Sequence, residues 1–391
     1  MADEPLVFRP RPRAVDPADE KKLTATLNDD QARAATFGDA PLLVIAGAGT
    51  GKTRTLIHRV AALIERGVAP ERILLLTFTR RAAQEMLSRA ERLVGAAGAR
   101  VHGGTFHSVA HRLLRQFGPA AGLPADFTIM DQGDAVDLMQ LSRGALGLAK
   151  TNKRFPKKET LHYLYSRHIN TELPLDELLH REFAQFLEYE QQITSLFADY
   201  TMRKGDRNLV DYDDLLLFWA TMLEASEQLR TRIAGLYDHV LVDEYQDTNL
   251  LQARILRGMC SGHRKLTVVG DDAQSIYAFR GANFRNILDF PRQFPGATLV
   301  TLAQNYRSTQ PILELSNTVI SRAEERFTKD LYTRREGGEK PWLVTAKDEA
   351  QQTRFVCDRV LQLHESGVPL REMAVLFRAG YMSADLEIEL A

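Results

Sequence analysis

Short runs of Val, Ile and Leu recur along the chain, each ending where polar or glycine residues begin. Leu42–Ala46, Ile73–Thr77, His239–Asp243, Leu266–Gly270 and Thr298–Leu302 do not alternate apolar with polar positions. Such runs predict strands buried on both faces of a parallel sheet. Between them the period changes. Leu56, Val60, Leu63 and Ile64 fall on one face of a helix, and Ala83, Leu87, Ala90 and Val94 repeat the pattern. Strand and helix in alternation predict an α/β fold whose ligands bind at the carboxyl ends of the strands.

The alternation is interrupted. Residues 109–205 are mostly helical in pattern, without convincing strands, and read as an inserted helical subdomain. Beyond residue 300, strand candidates at Trp342–Ala346 and Met373–Phe377 predict the beginning of a second α/β domain. The expected organisation is a lead-in at 1–20, a first domain in two parts (21–108 and 206–299), the insert at 109–205, and an incomplete second domain at 300–391. Met1–Glu20 carries Pro5, Pro10, Pro12 and Pro17 among charges and lacks the apolar core of a signal peptide, so it reads as a flexible lead-in.

Composition narrows the class without naming it. Hydrophobic residues make up 44% and charged residues 26% of the 391 positions, the balance of a soluble globular protein. The two cysteines, Cys260 and Cys357, have no metal-ligand spacing, which predicts neither a zinc site nor a disulfide framework and suits a reducing cytosol. No apolar run approaches the roughly 20 residues that cross a bilayer, so no membrane is expected. The net charge of −1 leaves any nucleic-acid contact to local patches. One patch is visible: Lys150 to His168 gathers lysines and arginines around Phe155, Tyr163 and Tyr165. It reads equally as a contact for duplex phosphates or as a solvated face.

The strongest chemistry follows the first strand. Ala46-Gly47-Ala48-Gly49-Thr50-Gly51-Lys52-Thr53 runs from strand into helix. Small residues let backbone N–H groups curl around a phosphate, Lys52 reaches the β- and γ-phosphates, and Thr53 can ligate Mg²⁺. A strict motif of this kind starts with glycine, where this chain has Ala46. A second acidic site should accompany such a loop, and Asp243-Glu244 lies just past a buried strand. Adjacent acids there are commonly just solvated. Paired with the loop, Asp243 is placed to hold Mg²⁺ and Glu244 to polarise an attacking water.

Three longer stretches extend the pattern: Asp243-Glu244-Tyr245-Gln246-Asp247-Thr248-Asn249, the run from Gly270 to Ala282, and Gln304-Asn305-Tyr306-Arg307-Ser308. With the glycine loop, they resemble signature motifs of the UvrD/Rep-type superfamily 1 DNA helicases, in the same order. The family's usual alanine matches Ala46. The resemblance runs from about Leu27 to the C-terminus and is weak through the insert. It implies a RecA-like P-loop NTPase fold with an inserted helical subdomain and the start of a second RecA-like domain. It also implies ATP and Mg²⁺ as ligands. Gln31 would read the adenine edge, Arg54 would lie beside the base, and Tyr306 would stack on it. Gln274 would link the γ-phosphate to the DNA site, and Arg307 would act as an arginine finger.

For the nucleic acid, Phe78, Thr79, Arg80, Thr105 and His107 resemble the family's grip on a single-strand backbone. Tyr277 and Phe279 resemble its base-stacking aromatics, with Arg280 beside them. Many relatives carry tryptophan at the position of Phe279. The resemblance implies ATP-driven 3′-to-5′ movement on single-stranded DNA, action at single/double-strand junctions, and DNA repair or replication proteins as partners. No residue after Arg307 resembles the family's late motifs, so the chain is expected to be the N-terminal portion of a longer helicase, with partial activity alone. A nucleotide-dependent binding module without motor activity, and a helicase directed to RNA, are the alternatives.

Overall fold

Apolar runs that do not alternate need cover on both faces, and four of the five have it in the computed structural model, which describes residues 22–148, 154–263 and 265–390; the fifth, Thr298–Leu302, is an edge strand with an exposed start. Along the chain the strands are β1 (Leu42–Ala46), β2 (Ile73–Thr77), β3 (His102–Thr105), β4 (Thr128–Ile129), β5 (Leu209–Val210), β6 (His239–Val242), β7 (Leu266–Gly270), β8 (Thr298–Leu302), β9 (Gln304–Asn305) and β10 (Tyr332–Thr333). Six of them form one parallel sheet in the order β3-β2-β6-β7-β1-β8. All five expected strands are present, β6 stopping one residue short so that Asp243 stands just beyond it.

Successive strand residues serve opposite faces. Leu43, Ile45, Leu74, Leu76, Val240 and Val242 pack against helices Phe106–Phe117, Tyr212–Ala225 and Leu250–Met259. Leu42, Val44, Ala46, Ile73, Leu75 and Leu241 pack against Asp29–Ala35, Lys52–Glu65 and Arg80–Val94. Both helical stripes expected from the sequence point into this second layer. Every residue of β1, β2, β6 and β7 is buried, as a doubly covered sheet requires.

The edge strand β3 was not expected. Its sequence is His-Gly-Gly-Thr, which carries no apolar signal. The glycines serve the packing instead: a Cβ on Gly103 would stand 2.8 Å from the Leu87 side chain.

The insert has its own core, from Met130 to Tyr200, separate from both sheet layers. Where the chain enters and leaves it, β4 and β5 pair in parallel. At the exit lies a buried ion cluster. The Lys204 ammonium donates to Asp211 and Asp214 at 2.7 Å each, beneath the rings of Tyr165 and Tyr200. Helix Phe106–Phe117, though within the stretch read as insert, packs in the sheet layer.

Residues 338–391 form a second compact unit. Helix Glu349–Glu365 lies between the two segments expected as strands. Neither Trp342–Ala346 nor Met373–Phe377 is a strand here: a strand needs a hydrogen-bonding neighbour, and among the described residues none pairs with either. Leu343 and Leu376 are each 94% exposed, while Trp342 lies under the Arg359 guanidinium of the intervening helix. The lead-in, Lys150 and Lys153 lie outside the described residues.

His239, at the start of β6, makes the fold acid-sensitive. Burial, then Arg59 and Lys265, lower its pKa from 6.5 to about 3, against the weaker pull of Asp39. Unfolding therefore takes up a proton between those values, so stability falls as pH drops through this window. The expected slope from this residue approaches about 1.4 kcal/mol per pH unit. Denaturant midpoints measured from pH 7 to 4 should show a shallower decline in His239→Gln.

Candidate functional site

The loop after β1 needs glycine at two positions for its backbone alone. Gly49 and Gly51 sit at φ 77° and 84°, where a side chain is strained. Gly49 is required twice over, because a Cβ there would stand 2.8 Å from the Cβ of Arg307. Thr50 braces the turn by donating its hydroxyl to the Gly47 carbonyl at 2.8 Å. Helix Lys52–Glu65 follows with Gly51 at its cap and no side chain on its first N–H groups. That leaves donors and a positive helix end facing whatever the loop encloses. Ala46 is fully buried at the end of β1. Ala48 offers its carbonyl to the Asn305 amide at 2.5 Å. Thr53 is half-buried on the first helical turn, and the exposed Arg54 donates to the Thr26 carbonyl at 2.8 Å.

Gln31 is buried against this loop. Its Nε2 donates to the Thr50 carbonyl at 2.8 Å, and its Oε1 accepts from the Asn28 N–H at 3.1 Å. One amide therefore caps its own helix and braces the loop.

Facing the loop, the acids are arranged by β6 and the turn after it. Lys52 Nζ lies 3.0 Å from Glu244 Oε2, which also accepts from Gln246 Nε2 at 2.8 Å. Glu244 adopts the left-handed conformation, φ 51°, uncommon for a residue with a side chain and often found at functional turns. Burial, then the Glu244 charge, push the Asp243 carboxyl up to about 7, with Lys52 pulling the other way. The same two causes push Asp247 up to about 6. Asp243 Oδ1, Asp247 Oδ1 and Thr77 Oγ1 are all buried without a hydrogen-bond partner. Pairing of Leu76 with Val242 makes Thr77 and Asp243 neighbours at the carboxyl edge. Buried orphaned oxygens call for a cation or a donor. Among the described residues no group of three or more His, Cys, Asp or Glu side chains could cage a metal. Mg²⁺ on a nucleotide needs only one or two carboxylates besides phosphate and water. Asp243 with Thr53 fits that demand.

The turn after β9 completes the rim. The Tyr306 N–H donates to the Gly49 carbonyl at 2.9 Å. Asn305 accepts on Oδ1 from the N–H groups of Arg307 and Ser308 at 2.8 and 2.7 Å. Tyr306 stays 44% exposed, its hydroxyl accepting from Asn28 Nδ2 at 2.9 Å. Gln274, in the turn after β7, donates to Asp271 Oδ2. Lys52 and Glu244 thus meet at the loop, the Tyr306 N–H and the Arg307 Cβ lie against Gly49, and Gln274 is joined to Glu244 through Asp271 and Gln246, whose Oε1 accepts from the Asp271 N–H at 2.9 Å.

A second face carries the aromatics. Phe78 and Tyr277 lie 5.2 Å apart and Tyr277 and Phe279 5.9 Å, ring centroid to centroid, forming a row that ends at the 58% exposed Phe279. Thr79 and Thr105 act as N-caps, accepting from Ala82 at 3.1 Å and Ser108 at 3.2 Å. Their hydroxyls start helices Arg80–Val94 and Phe106–Phe117 at adjacent strand ends. Burial, then Arg80, lower the His107 pKa to about 4, so this ring beside Tyr212 carries no charge at neutral pH. Arg280 closes the Ala278–Arg280 turn.

The described part of the basic cluster supports this turn. Tyr163 donates its hydroxyl to the Phe279 carbonyl at 3.2 Å, and Arg167 donates to the Ala278 carbonyl at 2.9 Å while pairing with Glu182. Lys158 pairs with Asp137 at 2.7 Å, and Phe155 and Tyr165 are buried in the insert's core. Asn28, Gln246, Asn305 and Lys329 join the site without having been singled out from the sequence. Gln246 and Asn305 lie inside motif stretches, where their amides were a usable signal. Lys329 gave none.

A parallel sheet, a glycine loop opening a helix and an acidic pair on a nearby strand define a RecA-like P-loop NTPase fold. Residues 27–295 match the UvrD/REP helicase N-terminal domain and residues 300–391 the UvrD-like helicase C-terminal domain, so the chain belongs to the UvrD/Rep helicase family. It is 34% identical over 366 residues to the ATP-dependent DNA helicase PcrA of Staphylococcus epidermidis, covering 93% of this chain and 49% of that protein. With the PcrA of Leuconostoc citreum it shares 36% over 370 residues, 93% of this chain and 48% of the relative. The Staphylococcus aureus protein is 33% identical over 364 residues, 92% and 49% of the two chains. The chain thus spans about half the length of the curated relatives it matches. No helix among the described residues is long and apolar enough to cross a membrane.

Proposed function

We propose that this chain binds Mg²⁺–ATP at the loop Ala46–Thr53 and hydrolyses it in response to single-stranded DNA, as the N-terminal part of a 3′-to-5′ DNA helicase. The observation that carries the reading is the Lys52–Glu244 contact at that loop, with the Cβ of Arg307 against Gly49 and Gln274 linked to Glu244 through Asp271 and Gln246. A binding module has no use for such a set.

Each residue has a task. Backbone N–H groups of residues 47–52 and the Lys52 ammonium hold the phosphates. Thr53 and Asp243 would hold Mg²⁺, which neutralises charge on the phosphate oxygens. Glu244 orients the attacking water and takes its proton, Arg307 offers a planar fork to the γ-phosphoryl oxygens, and Gln274 bonds a γ-oxygen or the water. Tyr306 stacks on adenine, with Gln31 and Arg54 beside the base. Residues 21–108 and 206–299 act as one motor half and 300–391 opens the other. Strand phosphates meet Thr79, Arg80, Thr105 and His107, and bases stack on Phe78, Tyr277 and Phe279 beside Arg280. Single/double-strand junctions and repair or replication proteins in the cytoplasm are the partners this reading implies.

Turnover of ATP measured with and without a single-stranded DNA oligonucleotide tests it. Strand-stimulated hydrolysis supports the enzyme, no turnover under any DNA condition supports a binding module, and preferential stimulation by RNA redirects the substrate. Phe279→Ala is expected to weaken strand binding by about 1–3 kcal/mol, read by fluorescence anisotropy of a labelled oligonucleotide. Unchanged affinity would remove Phe279 from the interface.

A further inference from the structure

The segment Phe327–Arg335 touches three parts of the site, although no motif marks it. Leu331 packs where a side chain on Gly47 would stand. Tyr332 and Thr333 pair with Gln304 and Asn305, and Arg335 donates to the Arg307 carbonyl at 2.7 Å. The third contact is charged. The Lys329 ammonium donates to Asp271 Oδ1 and Asp272 Oδ1, with all three side chains only 3% exposed, and the Phe327 N–H donates to Asp272 Oδ2 at 3.1 Å.

Two adjacent buried carboxylates repel each other and are costly without a cation. Lys329 is the cation that lets them share this turn. Asp271 uses its other oxygen, Oδ2, to hold the Gln274 amide, and its N–H is bound by Gln246, which in turn touches Glu244. A hydrogen-bonded path thus runs from Lys52 through Glu244 and Gln246 to the Asp271 backbone N–H, and the Asp271 carboxylate carries it on to Lys329. Three residues beyond Gln274 the same turn presents Tyr277 to the aromatic row. A shift of the Asp271 carboxylate would move Gln274 and Tyr277 together.

We propose that Lys329 is a positioning residue that fixes the Asp271–Tyr277 turn, so that Gln274 meets the terminal phosphate when a strand occupies the aromatic row. This rests on the hydrolytic reading above. Lys329 touches neither ligand and acts through Asp271 and Asp272.

The test compares Lys329→Met, Lys329→Arg and wild type, using the full chain. Lys329→Met is expected to lower kcat with oligothymidylate about 10- to 100-fold while affinity for a fluorescent ATP analogue stays within about twofold. Lys329→Arg, which can still bridge both carboxylates, should restore most of the stimulated rate. Without any ligand, hydrogen exchange in residues 271–281 of Lys329→Met should quicken about tenfold, with residues 42–52 unchanged. A stimulated rate within about twofold of wild type overturns the proposal, as does analogue affinity lost in step with turnover, or Lys329→Arg no better than Lys329→Met. If Lys329→Met does not fold, Asp272→Asn carries the test, expected to show the same split at smaller size, and unchanged turnover and exchange overturn the proposal. A wild type without turnover sinks the hydrolytic reading, while the exchange measurement still decides whether Lys329 holds the turn.

Discussion

Glu244→Gln is expected to bind ATP at least as tightly as wild type while its strand-stimulated turnover falls by about 10²–10⁴-fold. The amide keeps the size of the carboxylate and can still hydrogen-bond, so Gln246 retains its partner. It cannot take a proton from water. Single-turnover hydrolysis with analogue binding measured in parallel separates the two effects. Turnover within about threefold of wild type would remove Glu244 as the base. Loss of binding equal to loss of rate would make it a structural residue instead.

Arg307→Ala is expected to lower kcat by about 10³–10⁵-fold, the range of an arginine finger supplied to a γ-phosphoryl group. The backbone at 307 is held independently, through the Asn305 amide and the Arg335 guanidinium, so the turn should survive the truncation. KM for ATP should change far less than kcat, because the guanidinium is needed most as charge develops in transfer. Lys at 307 should rescue poorly, a point charge replacing a planar fork. A variant with raised KM and unchanged kcat would assign Arg307 to ground-state binding.

Much of this was legible in the sequence where residue type and spacing report directly on physics. Strands covered on both faces favour Val, Ile and Leu nearly throughout, so β1, β2, β6 and β7 were found within one residue, as was the edge strand β8, whose start is exposed. The glycine loop declared itself because φ near 80° at Gly49 and Gly51 leaves almost no other residue type. Glycines in β3 hid a strand for the opposite reason, since there they make room for a helix and leave no apolar trace. The segments 342–346 and 373–377 look like strands because apolar, branched residues suit a pleated surface, yet pairing is a property of a neighbour.

The polar supports of the site were harder to read. Asn305 and Gln246 each use two ends of one amide to join segments far apart in sequence, and no local pattern marks that. Lys329 sits among charged residues as ordinary as any surface lysine; only the fold brings it onto Asp271 and Asp272. Conversely, the basic stretch from Lys150 to His168 read equally as a contact for duplex phosphates or as a solvated face. Its described aromatics are core or turn supports, and Lys158 and Arg167 are neutralised by Asp137 and Glu182. Charge density alone does not distinguish a docking face from an internally balanced one.

The contact between Lys52 and Glu244 has a further consequence for the reaction cycle. An ammonium already satisfied by a carboxylate is not idle; it is occupied by a rival to the incoming phosphate. Under the proposed function, an arriving nucleotide would have to win the lysine in an exchange of anions, and a departing product would hand it back. Arrival would then do two things at once, because the carboxylate that gives up its cation is the one proposed to orient the attacking water. Departure would be eased by the same rivalry, since the emptied site supplies its own replacement ligand, a competitor carried within the chain.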